Sequence, residues 1–119
     1  MKKVNLNKAF DEVEFSAVKL EIFIPVTHIE TLREVLRTKG AGASEKYDSA
    51  LNYYPVKGCW RPLPGANPYK GEIGDLCEAD EYKVEAICPF EKLRQTVNAV
   101  KAIHPYEEPV INVIPLMIL

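Results

Sequence analysis

The sequence has 119 residues, 47% apolar and 27% charged, with 17 acidic against 15 basic side chains and a net charge of −2. This composition describes one globular domain and argues against a disordered, fibrous or membrane-spanning chain; roughly two-thirds of the unfolded surface can be buried around a single core. The balance lacks the basic surplus that phosphate-backbone binding draws on, so no nucleic-acid partner is expected.

Met1-Lys2-Lys3 is followed by polar Asn5, Asn7 and Lys8 rather than an apolar stretch, which predicts a cytoplasmic protein. Residues 1–16 read as an N-terminal extension and residues 17–119 as the folded domain. Phe10, Val13 and Phe15 give the extension enough apolar surface to cover a sheet face.

A repeat organises the rest. At a shift of 64 residues, Val18-Lys19-Leu20-Glu21-Ile22-Phe23-Ile24-Pro25 aligns with Tyr82-Lys83-Val84-Glu85-Ala86-Ile87-Cys88-Pro89. Lysine, glutamate and proline coincide, and Ile29 and Leu36 fall on Leu93 and Val100. Each half therefore carries a strand that runs through a proline into a helix. In the first strand Val18, Leu20, Ile22 and Ile24 share one face, and Lys19, Glu21 and Phe23 the other. Helix one is predicted over 26–39, with Ile29, Leu32, Val35 and Leu36 at helical spacing and Gly40 and Gly42 as stop signals. Helix two is predicted over 90–103, with Phe90, Leu93, Val97 and Val100 on one side and Pro105 beyond its end.

Each helix needs a returning strand. Tyr47 to Val56 is rich in aromatic and β-favouring residues, and Val110-Ile111-Asn112-Val113-Ile114 is an apolar run too short for a helix. The order β-α-β, β-α-β with right-handed crossovers predicts an α+β fold, a ferredoxin-like βαββαβ sandwich of four antiparallel strands with both helices on one face. Phe23, Ile87, Ile111 and Val113 are assigned in part to the uncovered face. An apolar face of that size predicts a homo-oligomer.

Residues 57–78 contain Gly58, Pro62, Pro64, Gly65, Pro68, Gly71 and Gly74 and read as a long loop or an irregular hairpin between the two halves, the first place to seek a site. The plainer reading has Trp60 and Tyr69 pin that loop to the sheet and Arg61 pair with a carboxylate. Cys59, Cys77 and Cys88 form no CxxC pair and no even-numbered framework, so reduced thiols are expected, with Cys88 a small buried hydrophobe.

Four motifs in order, Gly58-Cys59-Trp60-Arg61-Pro62, Gly65-Ala66-Asn67-Pro68, Gly71-Glu72-Ile73-Gly74 and His104-Pro105-Tyr106-Glu107-Glu108-Pro109, resemble the insert domain of the NGG-interacting-factor family, YqfO type. The resemblance runs from about Val18 to Leu116. It implies a CutA-like and PII-like unit that associates as a trimer and sits as a lid over a ring of metal-binding core domains. Those cores carry the metal ligands and the assignment as a GTP cyclohydrolase, and 119 residues leave no room for one. The resemblance thus implies a free-standing lid domain, without the metal site or the hydrolase activity.

His104, Glu107 and Glu108 lie within five positions, and His28 falls in the first turn of the other helix, a candidate ligand set for Zn²⁺, Cu²⁺ or Mn²⁺. Adjacent glutamates in extended chain point apart, so one at most faces a given site. The competing structural role has His104 capping helix-end carbonyls and one glutamate pairing with Arg61 or accepting backbone N–H groups. No phosphate-cradle or nucleophile motif is present. The leading expectation is a non-enzymatic, oligomeric binding or regulatory module, a trimer by preference, whose small ligand lies near Arg61, His104, Tyr106 and Glu107 between subunits. The alternatives are a divalent-metal-binding protein and, by family analogy alone, a hydrolase acting on nucleotides.

Overall fold

The computed structural model describes residues 15–119. Strand β1 (Ala17–Pro25) passes through a 3-10 turn (Val26–His28) into helix α1 (Ile29–Lys39). Strands β2 (Asn52–Trp60) and β3 (Cys77–Pro89) follow, then a second 3-10 turn (Phe90–Lys92), helix α2 (Leu93–Ile103) and strand β4 (Ile111–Leu116). The first turn and helix map onto the second end for end at the 64-residue shift seen in the sequence. The four strands form one antiparallel sheet in the order β2-β3-β1-β4, as the ferredoxin-like prediction requires.

Alternation along β1 and β3 builds the core. Leu20, Ile22, Ile24 and Val84 are fully buried against Leu32, Leu36 and Val100 from the helices, with Cys88 beside Thr96. Burial raises the Cys88 thiol above its usual range, as expected of an inert structural cysteine. Gly40 ends α1 in the left-handed conformation at φ 86°, its N–H and that of Ala41 returning to Arg37 and Leu36 carbonyls. At the end of α2 His104 is extended, as the residue before Pro105 must be.

Four expectations are corrected. The returning strand begins at Asn52, not Tyr47, because Gly42 N–H bonds the Ile87 carbonyl and Ser49 sits at φ 59°, which keeps residues 42–50 out of the ladder. The hairpin is longer than predicted: Gly58 pairs with Ala79 and Trp60 with Cys77, so the loop shrinks to 61–76. Phe90 lies in the 3-10 turn rather than on the helix-two face and is exposed. Ile111 pairs with Ile22 and Val113 with Leu20, which places both on the helix side of the sheet rather than the open side.

The open face is also not simply apolar. Lys19, Glu21, Lys83 and Glu85 form a quartet at its centre, each lysine within 3.8 Å of both carboxylates. Phe23 and Tyr54 flank it, with the Lys83 ammonium 5.8 and 5.7 Å from their ring centres. Phe15 is half exposed, whereas Phe10 and Val13 of the expected extension lie outside the described residues. Both edge strands carry a proline, Pro55 in β2 and Pro115 in β4, where its missing N–H is tolerated.

Candidate functional site

β1 ends at Pro25, opposite Glu81, while β2 and β3 continue to Trp60 and Cys77. The hairpin thus projects past the core sheet. Loop 61–76 folds back there, held by the Trp60 indole N–H donating to the Lys70 carbonyl at 3.2 Å. The turn 104–109 after α2 meets the loop from the other side, where the Glu107 carboxylate accepts the Asn67 N–H at 3.0 Å. Between them lies a cleft of about 760 Å³ with Phe23, Trp60, Arg61, Tyr69, Glu81 and Tyr106 in its walls. That volume is ordinary for a small-molecule site.

Aromatic rings build one wall. Tyr106 lies 5.3 Å from Trp60, 6.0 Å from Tyr69 and 5.1 Å from His104, centre to centre. His28 reaches the group through Tyr69 at 6.2 Å. Edge-on and tilted contacts at these spacings lock ring orientations. The Tyr106 hydroxyl donates to the Glu81 carboxylate at 2.7 Å, and Glu81 is 5% exposed. Burial, and then this bond, hold the Tyr106 phenol well above its usual pKa, so it is a fixed donor.

Gly58 makes the arrangement possible. A Cβ at that position would lie within 2.7 Å of all three carboxyl atoms of Glu81. The carboxyl therefore rests on bare backbone, and Glu81 is the site residue that sequence reading missed. It sits in the polar run Glu78-Ala79-Asp80-Glu81, which offers no hydrophobic contrast; the one signal was a glycine two residues before Trp60, inside a strand.

Of the predicted site residues, Arg61, Tyr106, Glu107 and Glu108 line the cleft. His104 lies behind it. Its Nε2–H donates to the Phe23 carbonyl at 2.6 Å and its Nδ1 accepts the Tyr106 N–H at 3.2 Å, which fixes the neutral tautomer. Burial lowers its pKa, partly countered by the Phe23 carbonyl. So His104 ties β1 to the turn instead of capping α2, and neither ring nitrogen is left over. His28 Nδ1 is engaged by the Thr27 hydroxyl at 2.8 Å. Among the described residues no three His, Cys, Asp or Glu side chains come together as a metal site, so His28, His104, Glu107 and Glu108 are not assembled as a ligand set within one chain.

The βαββαβ slab has the fold of CutA-type proteins. The periplasmic divalent cation tolerance protein CutA from Archaeoglobus fulgidus superposes with a TM-score of 0.61 at 22% identity, over 84% of this chain and 83% of its own. A Bacillus cereus protein related to NIF3 superposes with a TM-score of 0.74 at 31% identity, over 86% of this chain and 26% of its own. In sequence, the GTP cyclohydrolase 1 type 2 homolog of Halalkalibacterium halodurans is 36% identical over 101 residues, 85% of this chain and 27% of that protein. The homolog of the same name from Bacillus subtilis is 32% identical over 98 residues, 82% of this chain and 26% of that protein. No family model matches the chain. Over most of its length the chain is similar to proteins of the NGG-interacting-factor family, YqfO type, and it spans about a quarter of the length of these curated relatives. Among the described residues no helix is long and apolar enough to cross a membrane.

Proposed function

We propose that this chain is a non-enzymatic binding or regulatory module that self-associates, a trimer by preference, and takes a small ligand in the cleft between the hairpin and the 104–109 turn. The observation that carries the reading is the construction of that cleft. Two distant segments are tied together by Glu107 and Asn67 across it, and a buried carboxylate faces aromatic walls. Arg61 and Glu107 stand at its rim, Tyr106 lines it, and His104 holds the turn in place from behind. Self-association is supported by the open sheet face, where a charged quartet alternates in sign beside Phe23, Tyr54 and Ile87.

The test is a small-molecule panel of mixed charge read by amide and indole NMR shifts. Binding moves the Trp60 indole, Asn67 and Tyr106 signals together. A panel in which no compound of any charge moves them refutes the module reading. Light scattering tests the assembly: a stable monomer at micromolar concentration ends it. Zn²⁺, Cu²⁺ or Mn²⁺ binding would need ligands beyond those that the described residues of one chain bring together, and hydrolysis of nucleotides has only the names of the relatives behind it.

A further inference from the structure

We propose that the ligand of the cleft carries an ammonium group, primary or methylated, seated against Glu81 and the rings around it. The inference rests on the cleft being a small-ligand site and names what the cleft selects.

The argument starts from charge accounting. On the open sheet face Glu21 and Glu85 each have lysines within 4 Å, although both are more exposed than Glu81. Asp80, one residue away, is paired with Lys57. Glu81 is the deepest carboxylate of the set, yet among the described residues no lysine, arginine or histidine forms an ion pair with it. Its partner is a neutral phenol, which satisfies one oxygen. A buried carboxylate without a counter-charge is costly, and such groups are retained where a ligand supplies the missing charge.

The surroundings select the kind of cation. Trp60, Tyr69 and Tyr106 present π surfaces, which attract an ammonium and give nothing to a divalent metal. A metal would need several oxygen or nitrogen donors. Glu107 accepts the Asn67 N–H, His104 is engaged by backbone groups, and among the described residues no three His, Cys, Asp or Glu side chains come together, so the donors a metal needs are not gathered around Glu81. The carboxylates argue against an anion: Glu81, Glu107 and Glu108 outnumber Arg61 and Lys70 in the lining, and a negative ligand reaching Glu81 would meet like charge. The ligand class is therefore an amine, with room in about 760 Å³ for a body of several carbons.

Trp60 is the single tryptophan of the chain, so intrinsic fluorescence reports on the cleft directly. The full chain is titrated with tetramethylammonium and butylammonium chlorides, against sodium butyrate and butanol at matched ionic strength. Both ammonium salts are expected to change Trp60 emission saturably, and neither control is. Glu81→Gln, which keeps the shape and the bond from Tyr106, is expected to raise the ammonium Kd at least tenfold. Arg61→Gln, at an exposed position with no ion pair among the described residues, is expected to lower that Kd several-fold by removing a like charge. Its sign is readable even where Glu81→Gln fails to fold. Butyrate or butanol bound as well as the amines overturns the ligand class and leaves the cleft reading standing. Amines that leave the emission unchanged, or an Arg61→Gln variant that binds them more weakly, also overturn it.

Discussion

Gly58→Ala puts the central contact of the site to a quantitative test. The added Cβ would fall within 2.7 Å of the Glu81 carboxyl, which is 5% exposed and cannot swing into solvent without leaving Tyr106. Losing the charge-assisted bond costs about 1.5–3 kcal/mol. A displaced side chain off its rotamer adds about 0.5–1.5 kcal/mol. Restricting the unfolded chain returns about 0.4–1 kcal/mol. The net destabilisation is about 1–4 kcal/mol, a fall in Tm of roughly 4–25 °C. Urea unfolding followed by Trp60 emission measures it. The decisive arm is a double-mutant cycle: with Glu81→Ala in place there is nothing left to meet, so Gly58→Ala should then cost nothing and leave only the unfolded-chain gain of about 0.4–1 kcal/mol. An equal cost in both backgrounds would show that Gly58 is required for its backbone alone and that the carboxyl is not held where described.

Three further outcomes follow from the same structure. Leu32→Ala should cost about 3 kcal/mol and Val97→Ala about 1 kcal/mol, since Leu32 is fully buried and Val97 only partly, and denaturant midpoints read the difference. His104 has its pKa lowered by burial from the usual 6.5, so below that pH the unfolded chain binds a proton that the folded chain refuses. Its contribution is full above 6.5 and is lost as pH falls from there through the lowered value, so Tm should drop with acid across that window and His104→Gln should flatten the slope; an unchanged slope refutes the assignment. Lys83→Glu turns the open-face quartet into three carboxylates against one lysine, and light scattering should then find a smaller particle than for the wild-type chain.

The strand-helix repeat was legible because two periods coincide in each copy: alternation in the strands puts Leu20, Ile22, Val84 and Ala86 on one side, and Leu32, Leu36 and Val100 answer at helical spacing. The late start of β2 was not, because Tyr47 and Ser49 differ from strand residues only in the backbone path that Gly42 imposes. Nor was the hairpin's reach. Gly58 and the run from Glu78 to Glu81 read as loop by composition, and only pairing across the two strands makes them a ladder. Arg61, Tyr106 and Glu107 could be singled out from their motifs and do share a cleft. His104 was read as a candidate ligand because type and spacing cannot reveal that both its nitrogens face backbone groups of other segments. Glu81 stayed hidden for the converse reason, since its role depends on Tyr106 arriving from another part of the chain.

The prolines on the outer strands bear on how copies of this chain add to one another. Pro55 interrupts β2 near its middle and Pro115 interrupts β4 next to its end, and a strand lacking an amide hydrogen cannot template an unbroken ladder, so neither flank of the sheet invites endless strand-on-strand growth. Any union through those flanks is confined to short stretches beside Pro55 or Pro115. That confinement weighs against fibrils, and replacing both prolines would remove the safeguard.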